Sequence, residues 1–174
     1  MVNLRLVEPD DAQELASLYR INREHLAPWD PARDEEFYTA RWQRALVTVQ
    51  LRHHAEGRYY PFIIVHENKI IGCVNLGQIQ RGSLDSADIG YWISCEYQGQ
   101  GIATQVLQEV IHYAFKELKL HRIQASVMPD NIASIKVLEK NDFLKIGLAP
   151  QYLKVAGKWE DHEIYQRLSN VSAM

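Results

Sequence analysis

The sequence predicts a mixed α/β domain in which a central mixed sheet of about seven strands is flanked by about four helices. Three observations predict it. Short runs rich in β-branched and aromatic residues, such as "IGYWIS" (Ile89–Ser94), read as strands. Other stretches repeat apolar residues at helical spacing, as Ile102, Val106, Leu107, Val110, Ile111, Ala114, Phe115 and Leu118 do. The two kinds alternate along the chain, which calls for helices on both faces of the sheet.

The elements follow in order. "NLRLVEP" alternates apolar and polar residues and stops at Pro9, which makes a first strand. A helix is expected next, opened by Asp10 and Gln13 as a capping box. It carries Leu15, Leu18, Tyr19 and Leu26 on one face until "APWDP" ends it. A second helix is expected from Asp34 to His54, with Phe37, Trp42, Leu46 and Val49 inward. "YYPFIIVH" and "KIIGCVNLGQI" read as a hairpin around "ENK". After the polar loop "RGSLDS" come the strand "IGYWIS", a glycine turn and the long helix. "HRIQASVM" is a further strand, and "PDN" opens a short helix that runs to Lys140. "FLKIGLAPQYL" and "WEDHEIYQRL" then pair as antiparallel strands around "AGK".

Bulk properties narrow the function classes. At 174 residues, with no linker, repeat or low-complexity tract, the chain is expected to form a single domain over 1–174. It is 47% hydrophobic and 24% charged, as an ordinary globular protein is. The start "MVNLRLVEPDD" has no signal-peptide core, and no apolar run approaches the ~20 residues of a membrane helix, so a cytoplasmic protein with no membrane partner is expected. A net charge of −3 supplies no basic field for direct nucleic-acid binding. Cys73 and Cys95 are expected to be reduced and structural, and neither joins a Cys/His cluster with metal-ligand spacing. No metal is expected.

"YQGQGIAT" (Tyr97–Thr104) places two glycines between a strand and a helix. Such a turn exposes N–H groups at the positive end of a helix dipole, so it can hold a phosphate or pyrophosphate without a cationic side chain. Gly99 and Gly101 could equally serve only to make the turn tight. The stretch lacks the lysine and hydroxyl of a P-loop and the full G-x-G-x-x-G of a dinucleotide fold. In "MPDNIASIKVLEKNDF", Asn131 and Ser134 lie one helical turn apart and face the same way, although Asn131 could be no more than a helix cap.

Taken together, strand-"QGQGIA"-helix, strand-"N-x-x-S"-helix and "NDF" resemble the GNAT superfamily of acetyl-CoA-dependent N-acetyltransferases. "NREHLAPWDPARDE", Trp42-Gln43, "IIGCVNL", "RGS", "HRIQASVMPDN" and "YLKVAGKWEDH" extend the resemblance over nearly the whole chain to the RimJ/RimL branch. Members of that branch acetylate the α-amino group of ribosomal proteins.

The resemblance implies a GNAT fold and acetyl-CoA as cofactor. The loop Gln98, Gly99, Gln100, Gly101, Ile102, Ala103 and Thr104 would hold its pyrophosphate. The pantetheine arm would lie along Tyr91, Trp92 and Ile93, with Asn131 opposite and Ser134 near the sulfur. Ser134 is then the candidate to stabilise or protonate the leaving thiolate, and a main-chain N–H of "GYWIS" the candidate to meet the oxyanion. Asp88, just before the cofactor strand, is the expected base through water, with Glu96 as the other choice. RimL-like relatives are expected to carry an acid just before the late "YL", where this chain has Gln151. His25, Trp29, Trp159 and His162 are expected to wall the acceptor pocket. An α-amino group has a pKa of about 8 and is partly neutral at pH 7, whereas lysine at about 10.4 is not, which favours a protein N-terminus as acceptor. A ribosomal protein with N-terminal Ala or Ser leads. A small amine such as a polyamine, amino acid or drug is the alternative substrate, and a non-catalytic acetyl-CoA sensor is the alternative role. Either a monomer or a homodimer fits.

Overall fold

Seven strands form one sheet in a computed structural model that describes residues 2–169. They are β1 (Val2–Leu6), β2 (Tyr60–His66), β3 (Lys69–Gln80), β4 (Ser86–Ile93), β5 (Arg122–Val127), β6 (Leu144–Val155) and β7 (Lys158–Leu168), in the order β1-β2-β3-β4-β5-β7-β6. The β2–β3 hairpin turns at Glu67 and Asn68, both in the left-handed region, and the β6–β7 hairpin at Ala156 and Gly157. Every neighbouring pair is antiparallel except β4 and β5. That parallel ladder joins only Ser86–Asp88 to Arg122–Gln124, and beyond it the two strands part.

Five helices cover the sheet: α1 (Ala12–Ile21), α2 (Arg23–Leu26), α3 (Ala40–Ala55), α4 (Ile102–Lys116) and α5 (Ile132–Lys140). Strand alternation sorts the core between two faces. Ile63 and Cys73 pack with Leu15 of α1 and Val47 of α3, whereas their neighbours Ile64 and Val74 pack with Val106, Leu107 and Ile111 of α4. Among the described residues no helix is long and apolar enough to cross a membrane.

The N-terminal region departs from the expected pattern in three places. The capping box is formed by Glu8 and Asp11 around a 3₁₀ turn at Pro9–Asp11, not by Asp10 and Gln13. The first helix is broken at Asn22, which is fully buried and sends its side chain across to β4. The second is broken at Thr39, whose extended backbone separates a 3₁₀ turn at Glu35–Tyr38 from α3 and whose hydroxyl caps Trp42 N. That break resets the helical phase. Gln43 and Val47 face inward, and Trp42 and Val49 are exposed. Cys73 is buried as expected, with its thiol pushed up to about 12 by burial, but Cys95 is exposed.

Asp11 ties β1 to this region. Its carboxylate accepts two bonds from the Arg5 guanidinium, at 2.8 and 2.7 Å, and one from Glu8 N at 2.7 Å. Burial raises its pKa, but the Arg5 and Glu8 bonds outweigh burial and hold the carboxyl below its ordinary value. A lowered folded-state pKa stabilises the fold above the unfolded value of about 4, and this is lost as pH falls through the folded value. Asp11→Asn should therefore cost about 1–3 kcal/mol at pH 7. Urea melts of both proteins should converge as pH drops below about 4.

Candidate active site

Where β4 and β5 part, a groove of about 630 Å³ opens between them. One wall is Ile89 to Ile93 of β4, and the other is Ala125 to Met128 with Asn131 and Ser134 of the α5 turn. Gln98, Gly99, Gly101, Ile102, Ala103 and Thr104 line it at the glycine turn, and His25, Trp29 and His162 also line it. A second cavity of about 280 Å³ adjoins it and shares Tyr19, Leu26, Asp30 and Arg33.

The glycine turn meets a local backbone need and leaves open space beside it. Gly99 and Gly101 have φ of 72° and 77°, which disfavours other residues, and a Cβ on either would meet nothing within 4 Å. Gly101 caps α4 with no side-chain bond, and the first bond of the helix runs from Gln105 N to Gly101 O at 3.1 Å. The N–H groups of Ile102, Ala103 and Thr104 thus point into open space at the helix N-terminus. Gln100 does not line the groove, because its Nε2 turns back to donate to Glu96 O.

Across the groove, Asn131 Oδ1 accepts from Ser134 N at 3.2 Å, so Asn131 is a helix cap as well as a lining residue. Tyr91 donates its hydroxyl proton to Ser134 O at 3.1 Å and lies 2.8 Å from Ser134 Oγ. The single Tyr91 proton serves one of these two oxygens at a time, so either hydroxyl can donate in the Tyr91–Ser134 Oγ contact. Burial pushes Tyr91 up to about 12, so it stays protonated at neutral pH.

Besides Gln100, two expected site residues fall outside the groove. Asp88 shares a face with Gly90 and Trp92 but lies in the closed part of the β4–β5 ladder, one residue before the strands part. Burial raises its carboxyl pKa and Arg122 opposes this. Trp159 is 61% exposed beside the β6–β7 turn; it lies three residues from His162 on the same strand, so the two face opposite ways.

Several groove or hub residues gave no strong sequence signal. Lys136 and Lys140, four apart on α5, line the groove, and that spacing was the available clue. Tyr19 receives the Trp92 indole N–H at 3.3 Å. Asn22 donates to Leu18 O and Ser94 Oγ and accepts from Cys95 N at 2.9 Å. Gln98 Nε2 lies 2.9 Å from His25 Nε2, joining the glycine turn to α2. Asp30, inside "APWDP", also reaches the groove.

The sequence profile of the acetyltransferase (GNAT) domain matches residues 2–144. The chain belongs to the GNAT acetyltransferase family. This acetyltransferase is 39% identical over 165 residues to "Probable N-acetyltransferase YjcK" of Bacillus subtilis, covering 94% of this chain and 91% of the relative. It is 37% identical over 162 residues to "[Ribosomal protein uS5]-alanine N-acetyltransferase" of Escherichia coli, covering 91% and 83%. Among solved structures, "Mycobacterium smegmatis RimJ in complex with CoA-disulfide" superposes with a TM-score of 0.94 at 32% identity, over 97% of this chain and 82% of the other.

The protein is thus an acyltransferase with acetyl-CoA as cosubstrate. Its residues fit that group. The uncapped α4 N-terminus and open glycine turn offer N–H donors suited to a pyrophosphate, and Lys136 and Lys140 add positive charge. The parted β4 edge offers main-chain groups to an extended amide-bearing arm. Gly101→Ala should strain the turn by about 1–2 kcal/mol and place a Cβ in the open space. Calorimetric titration with coenzyme A should show affinity reduced by about tenfold or more.

Proposed function

We propose that the enzyme acetylates the N-terminal α-amino group of a protein, a ribosomal protein beginning with Ala or Ser. The charge of the groove is the observation that carries this reading. Among the described residues that line it, Asp30 is the only carboxylate, against the cations Arg33, Lys136 and Lys140. A polyamine acceptor calls for an acidic cleft, whereas an extended peptide carrying one ammonium does not. The RimJ-type relatives named above support the same acceptor class, and a cytoplasmic setting belongs to the reading.

Acetyl-CoA supplies the acetyl group as a thioester. Main-chain N–H groups at the parted edge of β4 are the donors for the oxyanion, fixed in place by the ladder to β3. Ser134, oriented by Tyr91 and by its own N–H on Asn131, hydrogen-bonds the leaving sulfur and delivers its proton. Tyr91 keeps its own proton and hydrogen-bonds Ser134 Oγ, and the proton lost by the acceptor nitrogen restores that of Ser134.

Peptides differing only in their first residue, incubated with enzyme and acetyl-CoA, should be acetylated at the α-amino group when they begin with Ala or Ser. Mass spectrometry locates the acetyl group, and its absence from every such N-terminus would refute the reading. Ser134→Ala should lower kcat by about tenfold to a hundredfold while leaving coenzyme A affinity within about twofold. Stopped assays for thiol release, together with calorimetry, measure the two effects separately.

A further inference from the structure

We infer that the Asp30 carboxylate binds the ammonium of the incoming acceptor and takes its proton. Asp30 stands where the groove meets the smaller cavity and, among the described residues, is the only carboxylate lining either of them. An amine acceptor enters as a cation at neutral pH, so a partly desolvated groove that admits it needs an anion to receive it. No other lining residue supplies one.

Asp30 is also held in place. Its main-chain N–H donates to Leu26 O at 3.0 Å, and its carbonyl accepts from Ala156 N at 3.1 Å, so the end of α2 and the β6–β7 turn fix it together. Among the described residues no donor hydrogen-bonds its carboxylate, which is held only by a loose, partly exposed ion pair with Arg33 at 3.9 Å. Burial raises the carboxyl pKa against the opposing charge of Arg33, which moves a poor base toward a useful one. Trp29 and His25 lie on the groove side of Asp30, and Tyr19, Phe37 and Tyr38 line the smaller cavity. An ammonium at Asp30 would therefore point its nitrogen into the groove and leave the first side chain to the aromatic cavity.

The proton count closes. The ammonium gives one proton to Asp30, the neutral nitrogen forms the N–C bond as the C–S bond breaks, and the sulfur takes the electron pair. The second nitrogen proton balances the one delivered to the sulfur through Ser134, and Asp30 returns its own to water. In this scheme Asp30 takes the part that the sequence assigned to Asp88.

This inference rests on an amine acceptor reaching the groove from the α2 side, and its test separates the two. The full chain would be assayed as wild type, Asp30→Asn, Asp30→Glu and Asp88→Asn. The acceptor would be an alanine-initiated peptide, and the inhibitor the same peptide with a lactoyl group in place of alanyl. Asp30→Asn should lower kcat/KM by about a hundredfold or more, with coenzyme A affinity within about twofold of wild type. Asp30→Glu should recover at least about tenfold of that loss, and Asp88→Asn should stay within about threefold of wild type. Wild type should bind the amine peptide about tenfold or more tightly than the hydroxyl one, and Asp30→Asn should abolish the preference. Asp30→Asn activity within about threefold of wild type, or an unchanged preference, would overturn the inference. Should the variant not fold, equal binding of the two peptides by wild type overturns it alone. Activity on an alkylamine with none on any peptide overturns only the N-terminal reading, and comparison of that amine with its alcohol then decides Asp30.

Discussion

Backbone hydrogen bonding past Asp88 is the constraint around which the site is built. A central strand normally spends its N–H and C=O groups on both neighbours, and buried groups left unpaired are costly. β4 keeps an unbroken ladder to β3 from Asp88 to Ile93 but loses β5 after three residue pairs. The main chain of Ile89 to Ile93 therefore has one satisfied edge and one edge open to whatever fills the groove. An extended molecule carrying amides is the natural complement of such an edge. The glycine turn lies just beyond the end of the same strand, so a ligand seated there meets an uncapped helix N-terminus as it leaves. Ser134 and Asn131 occupy the far wall because α5 begins shortly after β5 ends.

The electrostatics of the groove follow from the same arrangement. Lys136 and Lys140 come from α5, whereas Asp30 lies beside Arg33 just after α2. Tyr91, buried against Ser134, keeps its proton across the neutral range and acts as a fixed hydrogen-bonding partner rather than a titrating one.

Features set by neighbours in sequence were legible, and those set by distant contacts were not. The glycine turn, the β2–β3 hairpin and the inward face of α4 each depend on spacing within a few residues, and each appears where the pattern placed it. Trp42 and Val49 were misplaced because a break at Thr39 shifts helical phase, and nothing in an apolar count records a break. Trp159 and His162 looked like one wall, yet strand parity sends them apart. Asp88 seemed closest to the chemistry by sequence, but the end of a parallel ladder decides which strand residues reach the groove, and that end depends on β5. Asp30 follows Trp29 in "APWDP", a stretch that shows a helix end but not which of its side chains reach the groove. Asn22 showed no signal because its partners Ser94 and Cys95 lie 72 and 73 residues away.

Asn22 has a thermodynamic consequence. It locks the α1–α2 break to the end of β4, and His25, three residues on, reaches Gln98 in the glycine turn. The helix that carries His25 and the loop that carries Gln98 are thus parts of one hydrogen-bonded unit. Linkage makes any coupling through that unit reciprocal: whatever free energy cofactor binding contributes to ordering α2, acceptor binding returns to the loop in equal measure.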